Sequence, residues 1–160
     1  QYKKMSAAGV ATAAVGGLVA ITPAAGFVGV MGALAIGLGA GILCYVAVQM
    51  RPKVGLDDAL DVFAVHGIGG IWGALATGIF AVAAIGGTSG LIEDGNVDQM
   101  LTQIIAIVGT LAYSGIVSLV ILKVLDIIPG LGLRVTEQEE DMGLDMAMHG
   151  ERAFVSDGAD

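Results

Sequence analysis

Four long apolar segments dominate this sequence of 160 residues. They run over residues 5–21, 27–50, 62–85 and 101–122, and the last can be extended to residue 128. A helix needs about 20 residues, within a range of about 17–25, to cross the hydrocarbon core of a bilayer. Because 56% of the residues are hydrophobic and the mean hydropathy is +0.85, the composition excludes an ordinary soluble domain. The sequence therefore predicts an all-α polytopic membrane bundle with four transmembrane helices.

The basic residues predict how these helices are oriented. All seven lie on the same side of the predicted bundle: Lys3, Lys4, Arg51, Lys53, Lys123, Arg134 and Arg152. The two connections on the other side, residues 24–26 and 86–100, contain no Lys or Arg. The side rich in Lys and Arg is normally cytoplasmic. We therefore expect both chain ends to lie in the cytoplasm.

Charge and cysteine content narrow the possible partners and cofactors. The formal net charge is −8, which argues against nucleic acid as a partner. About half of the Asp and Glu residues lie from residue 129 onward, where the chain becomes polar. We therefore predict a membrane domain over residues 1–128 and a cytoplasmic tail over residues 129–160. The one cysteine excludes an internal disulfide. No metal site and no cofactor are predicted.

His66 is the only histidine within the apolar segments, and it lies near the start of the third. An ionisable group in a membrane-spanning helix is costly, so it marks a candidate functional site. On a regular helix, Asp58, Val62, His66, Gly70 and Gly73 share one stripe. Such a stripe predicts a narrow path from an acidic mouth, past an apolar neck, to an imidazole that can donate and accept hydrogen bonds.

Two structural alternatives stay open for this region. His66 could bond only to a neighbouring helix and stabilise the bundle. Asp57, Asp58 and Asp61 could cap the start of a helix, because negative charge is favourable there. We expect that capping role above all for Asp57.

Glycine spacing predicts close contacts between helices. Gly37 with Gly41, and Gly69 with Gly73, form two GxxxG pairs of the kind that lets helix backbones approach each other. Trp72 lies on a different face from His66, and we expect it to pack against another helix or against lipid.

Three blocks of this sequence resemble the ammonium transporter family (Amt/Mep/Rh). Residues 57–70, DDALDVFAVHGIGG, are similar to the family signature, and residues 17–27, GLVAITPAAGF, to its eighth membrane helix and the exit from it. From residue 132 onward, the elements GLRV, EE, GLD and HGE resemble the cytoplasmic tail. The resemblance covers nearly the whole chain and fits the Amt branch better than the Rh branch.

The resemblance implies a fold and an assembly. The four helices would be helices eight to eleven of an eleven-helix fold, in which two inverted five-helix repeats surround a central pore. The chain would be the carboxyl-terminal part of a homotrimeric transporter in the plasma membrane, and its partners would include the amino-terminal helices of the same protein. The implied function is transport of ammonium or ammonia, with no enzymatic reaction.

The resemblance also implies roles for individual residues. His66 would be one of two pore histidines and would relay substrate or proton, Val62 would line the apolar neck, and Thr22 would lie near the middle of the pore. Asp58 and Asp61 would have a structural role or line the inner vestibule. Since an ammonium ion is costly to desolvate, the family is thought to pass ammonia through the neck and the proton along the histidines, which excludes potassium.

The tail is expected to be regulatory. Arg134, Gly143 and Asp145 match the family's tail motifs, and we predict an ordered segment from Gly132 to about Phe154 that docks on the cytoplasmic face and reaches a neighbouring subunit. In many members this face binds PII-type regulatory proteins. Two alternatives to transport remain: an ammonium sensor that signals through its tail, and a structural membrane bundle.

Overall fold

The computed structural model describes residues 6–151, and this part of the chain is helical, without a β-strand. The helices are α1 (Ala7–Ile21), α2 (Val30–Val54), α3 (Ile68–Phe80), α4 (Ala83–Gly86), α5 (Leu91–Asp94), α6 (Val97–Ile127) and α7 (Glu137–Met142). A 3₁₀ turn follows α1 at Thr22–Ala24, and π-helical turns lie at Phe63–Gly67 and Asp145–His149. The predicted positions of Lys3, Lys4, Met5, Arg152 and Phe154 fall outside the described residues.

Four helical stretches are long and apolar enough to cross a membrane: Ala7–Ala24, Val30–Val54, Phe63–Phe80 and Val97–Ile127. This confirms the predicted membrane bundle. The second helix continues past residue 50 and is capped by Gly55, which has a left-handed backbone conformation (φ 72°). The Gly55 N–H donates to the carbonyls of Arg51 and Pro52. The fourth begins four residues earlier than predicted, because the side chain of Asn96 accepts a hydrogen bond from the Gln99 N–H, as an N-cap does.

Small side chains build the core between α1, α2 and α3. The fully buried residues of this core are Ala20, Ala24, Ile36, Ala40 and Ala76. Four of the five are alanines, and such small side chains let helix backbones approach closely in a membrane protein. The core therefore relies on close backbone approach more than on large side chains.

Trp72 completes this core, which confirms that it packs against another helix. Its Nε1 donates to the carbonyl oxygen of Ile36 at 2.9 Å. The indole also fills the space beside Gly39, where an added Cβ would lie 2.5 Å from the ring. Gly39 therefore has to be small for α2 and α3 to pack around the indole.

The two predicted glycine pairs have different surroundings. A Cβ at Gly73 would lie 2.2 Å from the carbonyl oxygen of Ala20, and one at Gly69 would lie 3.3 Å from Cys44 Sγ, so this pair lies at a helix contact as predicted. At Gly37 and Gly41, no atom of the described chain lies within 4 Å of an added Cβ. The pair Gly37 and Gly41 therefore does not form the predicted close helix contact inside the described residues.

The third membrane helix ends earlier than predicted, at Phe80 instead of residue 85. After Phe80 the backbone becomes extended, and the Val82 N–H donates to the carbonyl of Phe27 at 2.8 Å. The short helix α4 follows, and its first N–H, at Ala83, donates to the carboxylate of Glu93 at 2.7 Å. The apolar run from Ala81 to Ile85 thus belongs to a folded connection between helices.

The chain divides into two compact units, one ending at Leu111 and the other beginning at Ala112, within α6. In the first unit, α6 lies against α3, since a Cβ at Gly78 would come within 3.2 Å of Met100 and Gln103. The second unit contains the rest of α6, which ends at Ile127, followed by α7 and the second π-helical turn.

Candidate functional site

His66 lies in the π-helical turn Phe63–Gly67, at the start of the third membrane helix. Its side chain is exposed in the described chain and lines an open groove of ≈ 560 Å³. The other residues that line this groove are Leu56, Asp57, Asp58, Val62, Phe63 and Gly67. The structure therefore brings together two carboxylates, three apolar side chains and the imidazole on one groove. The path from acidic mouth past an apolar neck to the histidine stays a prediction.

Asp58 lies outside the helix on which the sequence pattern places it. The backbone over residues 55–61 is not helical. The Asp58 carboxylate accepts hydrogen bonds from the N–H groups of Val62 at 2.9 Å and Phe63 at 2.7 Å, which have no partner within the helix. The predicted stripe is therefore wrong at Asp58, because a short carboxylate can bond local N–H groups in place of a further helical turn.

This cap belongs to Asp58, so the expectation that Asp57 would be the main capping residue is wrong. The hydrogen bonds from Val62 and Phe63, with a smaller contribution from the charge of Arg51, hold the pKa of the Asp58 carboxyl below its ordinary value. The carboxylate is thus charged at neutral pH, where it both starts the helix and lines the groove.

Asp61 points to a different part of the molecule. Its carboxylate oxygen lies 3.2 Å from Nη1 of Arg51, and the two side chains are 25% and 27% exposed. It lines a second cavity, of ≈ 370 Å³, whose walls come mainly from α1 and α2 and include Cys44 and Val65. Asp61 is therefore separate from the His66 groove in the described chain, and its place in an inner vestibule stays a prediction.

The π-helical turn changes which residues follow His66 along the helix face. The Ile68 N–H donates to the carbonyl of Phe63, five residues earlier, so the turn is wider than a regular one. Beyond the turn, Gly70 lines a third groove, of ≈ 290 Å³, together with residues of α6 such as Thr110. Gly73 instead contacts the backbone of Ala20. The predicted stripe is therefore wrong at Gly73, which lies in a helix contact.

Thr22 lies on the 3₁₀ turn that follows α1, and its side chain is exposed in the described chain. Its Oγ1 donates to the carbonyl of Leu18 at 2.6 Å, a carbonyl that also accepts from the Thr22 backbone N–H at the end of α1. Thr22 is not among the residues that line the groove at His66. Its predicted position near the middle of a pore stays a prediction.

Sequence reasoning missed Arg51, which was interpreted only as a marker of membrane orientation. Its guanidinium donates to the backbone carbonyl of Asp58 as well as pairing with Asp61. The sequence did contain a signal for these contacts. Arg51 lies at the end of the preceding membrane segment, only seven residues before Asp58 and ten before Asp61.

The described part of the tail contains one short helix and one π-helical turn. Helix α7 begins with a capping box, in which the Thr136 side chain accepts from the Glu139 N–H and the Glu139 carboxylate accepts from the Thr136 N–H. The hydrogen bonds from Thr136 keep the pKa of Glu139 below its ordinary value. Arg134 Nη2 lies 2.6 Å from the Glu140 carboxylate. Asp145 begins the π-helical turn that follows.

Four apolar helices that are long enough to cross a bilayer, with a histidine on an open groove at one end of the third, define a polytopic membrane protein. The family model that matches is the Ammonium Transporter Family, over residues 1–154. This chain belongs to that family.

Known relatives and solved structures agree with this assignment. Ammonium transporter Amt1 of Archaeoglobus fulgidus is 47% identical over 152 residues, which are 95% of this chain and 38% of that protein. The ammonium transporter of Aquifex aeolicus is 49% identical, over 94% of this chain and 35% of its own length. The crystal structure of Saccharomyces cerevisiae Mep2 superposes with a TM-score of 0.79 at 35% identity, over 91% of this chain and 34% of that one. The chain thus spans little more than a third of these relatives.

Proposed function

We propose that this chain forms part of the pore of an ammonium transporter in the plasma membrane, and that His66 is one of the side chains that handle the substrate. The observation that carries this proposal is the groove where His66, Val62 and Asp58 lie together, in a member of a family whose relatives are named ammonium transporters. Passage through a pore is a transport function and needs no covalent chemistry from the protein.

The residues of the groove suit the separation of ammonia from its proton. Asp58 is charged and attracts cations to the mouth, whereas Val62 and Phe63 present apolar surface beside the imidazole. An ammonium ion loses its hydration at an apolar neck at a large cost, but neutral ammonia does not. The imidazole of His66 has one nitrogen that accepts and one that donates, so it can take a proton and pass it on. Potassium has no proton to give up and is excluded.

The exposed faces of the described helices support a larger assembly. None of the described residues of α6 is buried, although the helix is long and apolar. We propose that the four spans are helices eight to eleven of an eleven-helix transporter, that the amino-terminal helices of the same protein complete the pore, and that the whole forms a homotrimer. The basic residues favour cytoplasmic chain ends.

The tail is proposed as the regulatory part of the transporter. Its capping box, its Arg134–Glu140 ion pair and its glycine turns form a defined surface. We propose that Arg134, Gly143 and Asp145 belong to a segment that docks on the cytoplasmic face, contacts a neighbouring subunit and offers a surface to a PII-type protein.

The experiment that tests the function is His66→Ala in the full-length transporter, with ammonium uptake and potassium discrimination as readouts. We expect at least a tenfold loss of uptake or a loss of discrimination. His149→Ala is the comparison variant: His149 is not among the residues that line the groove, so its loss should leave the discrimination against potassium unchanged. Unchanged rate and selectivity in His66→Ala would contradict the relay role. If the wild-type protein assembles but takes up no ammonium, the alternative functions, an ammonium sensor or a structural membrane bundle, would be favoured.

A further inference from the structure

The helix that carries His66 is anchored at its first turn by groups from two parts of the chain. The Asp58 carboxylate accepts from the first two N–H groups of the helix. The carbonyl of Asp61 accepts from the Val65 N–H at 2.9 Å, which is the first backbone hydrogen bond of the turn. Asp58 and Asp61 therefore determine together where the helix begins.

Arg51 connects both aspartates to the end of α2. Its Nη1 donates to the backbone carbonyl of Asp58 and lies 3.2 Å from the Asp61 carboxylate. Both side chains of the ion pair are about three-quarters covered, so solvent screens their attraction less than it screens a fully exposed pair. Lys53, two residues later, is exposed. A role in membrane orientation alone would require only the charge and would not explain two specific contacts.

The backbone of Asp61 shows why such an anchor is needed. Asp61 has φ 55° and is the only non-glycine residue with positive φ in the described part of the chain. This conformation is uncommon for residues with a side chain, although Asp and Asn adopt it more readily than most. In this conformation the Asp61 carboxylate pairs with Arg51 while its carbonyl accepts from the Val65 N–H.

We propose that Arg51 is a positioning residue for His66: by fixing Asp58 and Asp61, it sets the register of the turn Phe63–Gly67 and thereby the place of the imidazole on the groove. Each residue of register shift turns a side chain by about 100° around a helix. Loss of Arg51 therefore moves His66 away from the groove without unfolding the rest of the helix. This inference rests on the proposed function of His66 in transport.

The experiment uses the full-length transporter with Arg51→Met, which removes the charge but keeps a long side chain. Hydrogen exchange of the backbone amides of residues 62–68 and the maximal rate of ammonium uptake are measured. We expect exchange to rise at least tenfold in this segment and the maximal rate to fall at least fivefold, with no change in exchange over residues 70–80. Lys53→Met is the matched control and should change neither. Arg51→Lys, whose ammonium group has three donors, should recover at least half of the rate.

The outcomes separate this proposal from the proposed function. If His66→Ala abolishes uptake while Arg51→Met exchanges and transports like the wild type, the positioning role is wrong and the function stands. If Arg51→Met loosens residues 62–68 while neither variant loses uptake, Arg51 fixes the turn and the relay role of His66 is wrong. A uniform rise in exchange over the whole helix would also overturn the positioning role. Should Arg51→Met not assemble, Asp61→Asn tests the same contact, because Asn tolerates positive φ but carries no charge.

Discussion

At the scale of single residues, two glycines of the third membrane helix look equivalent in sequence but differ in whether a larger side chain fits. An added Cβ at Gly73 meets the backbone carbonyl of Ala20 at 2.2 Å, whereas at Gly70 no atom of the described chain lies within 4 Å. Backbone cannot move aside as a flexible side chain does, so a methyl group at Gly73 must push α1 and α3 apart.

We therefore predict that Gly73→Ala destabilises the full-length transporter by about 1–3 kcal/mol, the usual cost of overpacking a tight contact. Gly70→Ala is the matched control and should be as stable as the wild type or up to about 1 kcal/mol more stable, because alanine favours a helix over glycine. Thermal unfolding in detergent measures both. Equal stability of the two variants would mean that the contact between Gly73 and Ala20 is looser than the structure shows.

The carboxyl of Asp58 should make the start of the His66 helix sensitive to acid. Its pKa in the folded protein is lowered by the hydrogen bonds from Val62 and Phe63. A group with a lowered pKa stabilises the fold above its unfolded pKa, about 3.9 for Asp, and this contribution is lost as the pH falls through the lowered folded value. We expect amide protection at Val62 and Phe63 to be constant from about pH 8 to pH 5 and to decrease only below the ordinary Asp range. Asp58→Asn should remove this pH dependence; a decrease in protection near pH 6 in the wild type would exclude Asp58 as its cause.

At the scale of elements, helix α7 shows how a very short helix persists. It has six residues, fewer than an isolated helix needs in water. Its capping box satisfies N–H groups at its start, and Gly143 follows its end with φ 91°. The helix therefore depends on its two ends more than on its length.

Loss of the cap should consequently loosen α7 as a unit. We predict that Thr136→Ala increases amide exchange over residues 139–142 by about tenfold, the effect of losing one N-cap. Thr136→Ser keeps the hydroxyl and should exchange like the wild type. Identical exchange in Thr136→Ala would show that contacts outside the capping box hold the helix.

At the scale of the whole molecule, the described chain exposes large apolar surfaces that belong in lipid or against other helices. Leu38 and Ile42 on α2 are 72% and 67% exposed, and an added Cβ at Gly37 or Gly41 would meet no neighbouring residue of the described chain within 4 Å. A membrane helix can face lipid with apolar side chains, but an uncovered histidine such as His66 needs protein or water around it. The relatives, of which this chain matches only 38% and 35%, have the additional chain that such a cover requires.

Tail docking is the prediction that belongs to this scale. Gly143→Asp places a charged side chain at φ 91°, where L-residues are strained. If the tail docks as proposed, this variant should reduce uptake at least severalfold while the proposed trimer remains intact. Gly132→Asp is the matched control, since Gly132 has no positive φ and its nearest contact is at 3.9 Å. Uptake assays and size-exclusion chromatography of the full-length protein measure the two effects. Equal uptake in both variants would contradict a regulatory role for this turn.

The sequence by itself determined the four membrane spans, the family and the candidate histidine, because hydropathy and signature motifs are local properties of consecutive residues. Only the folded structure showed the contacts of Asp58, Asp61 and Arg51. The cap on Val62 and Phe63 and the π-helical turn change the face that each side chain occupies, so a regular helical stripe could not predict them. In the same way, only the approach of Ala20 shows that Gly73 is packed while Gly70 is open. Contacts between residues so distant in sequence depend on how the helices pack, which the order of residues in one helix does not encode.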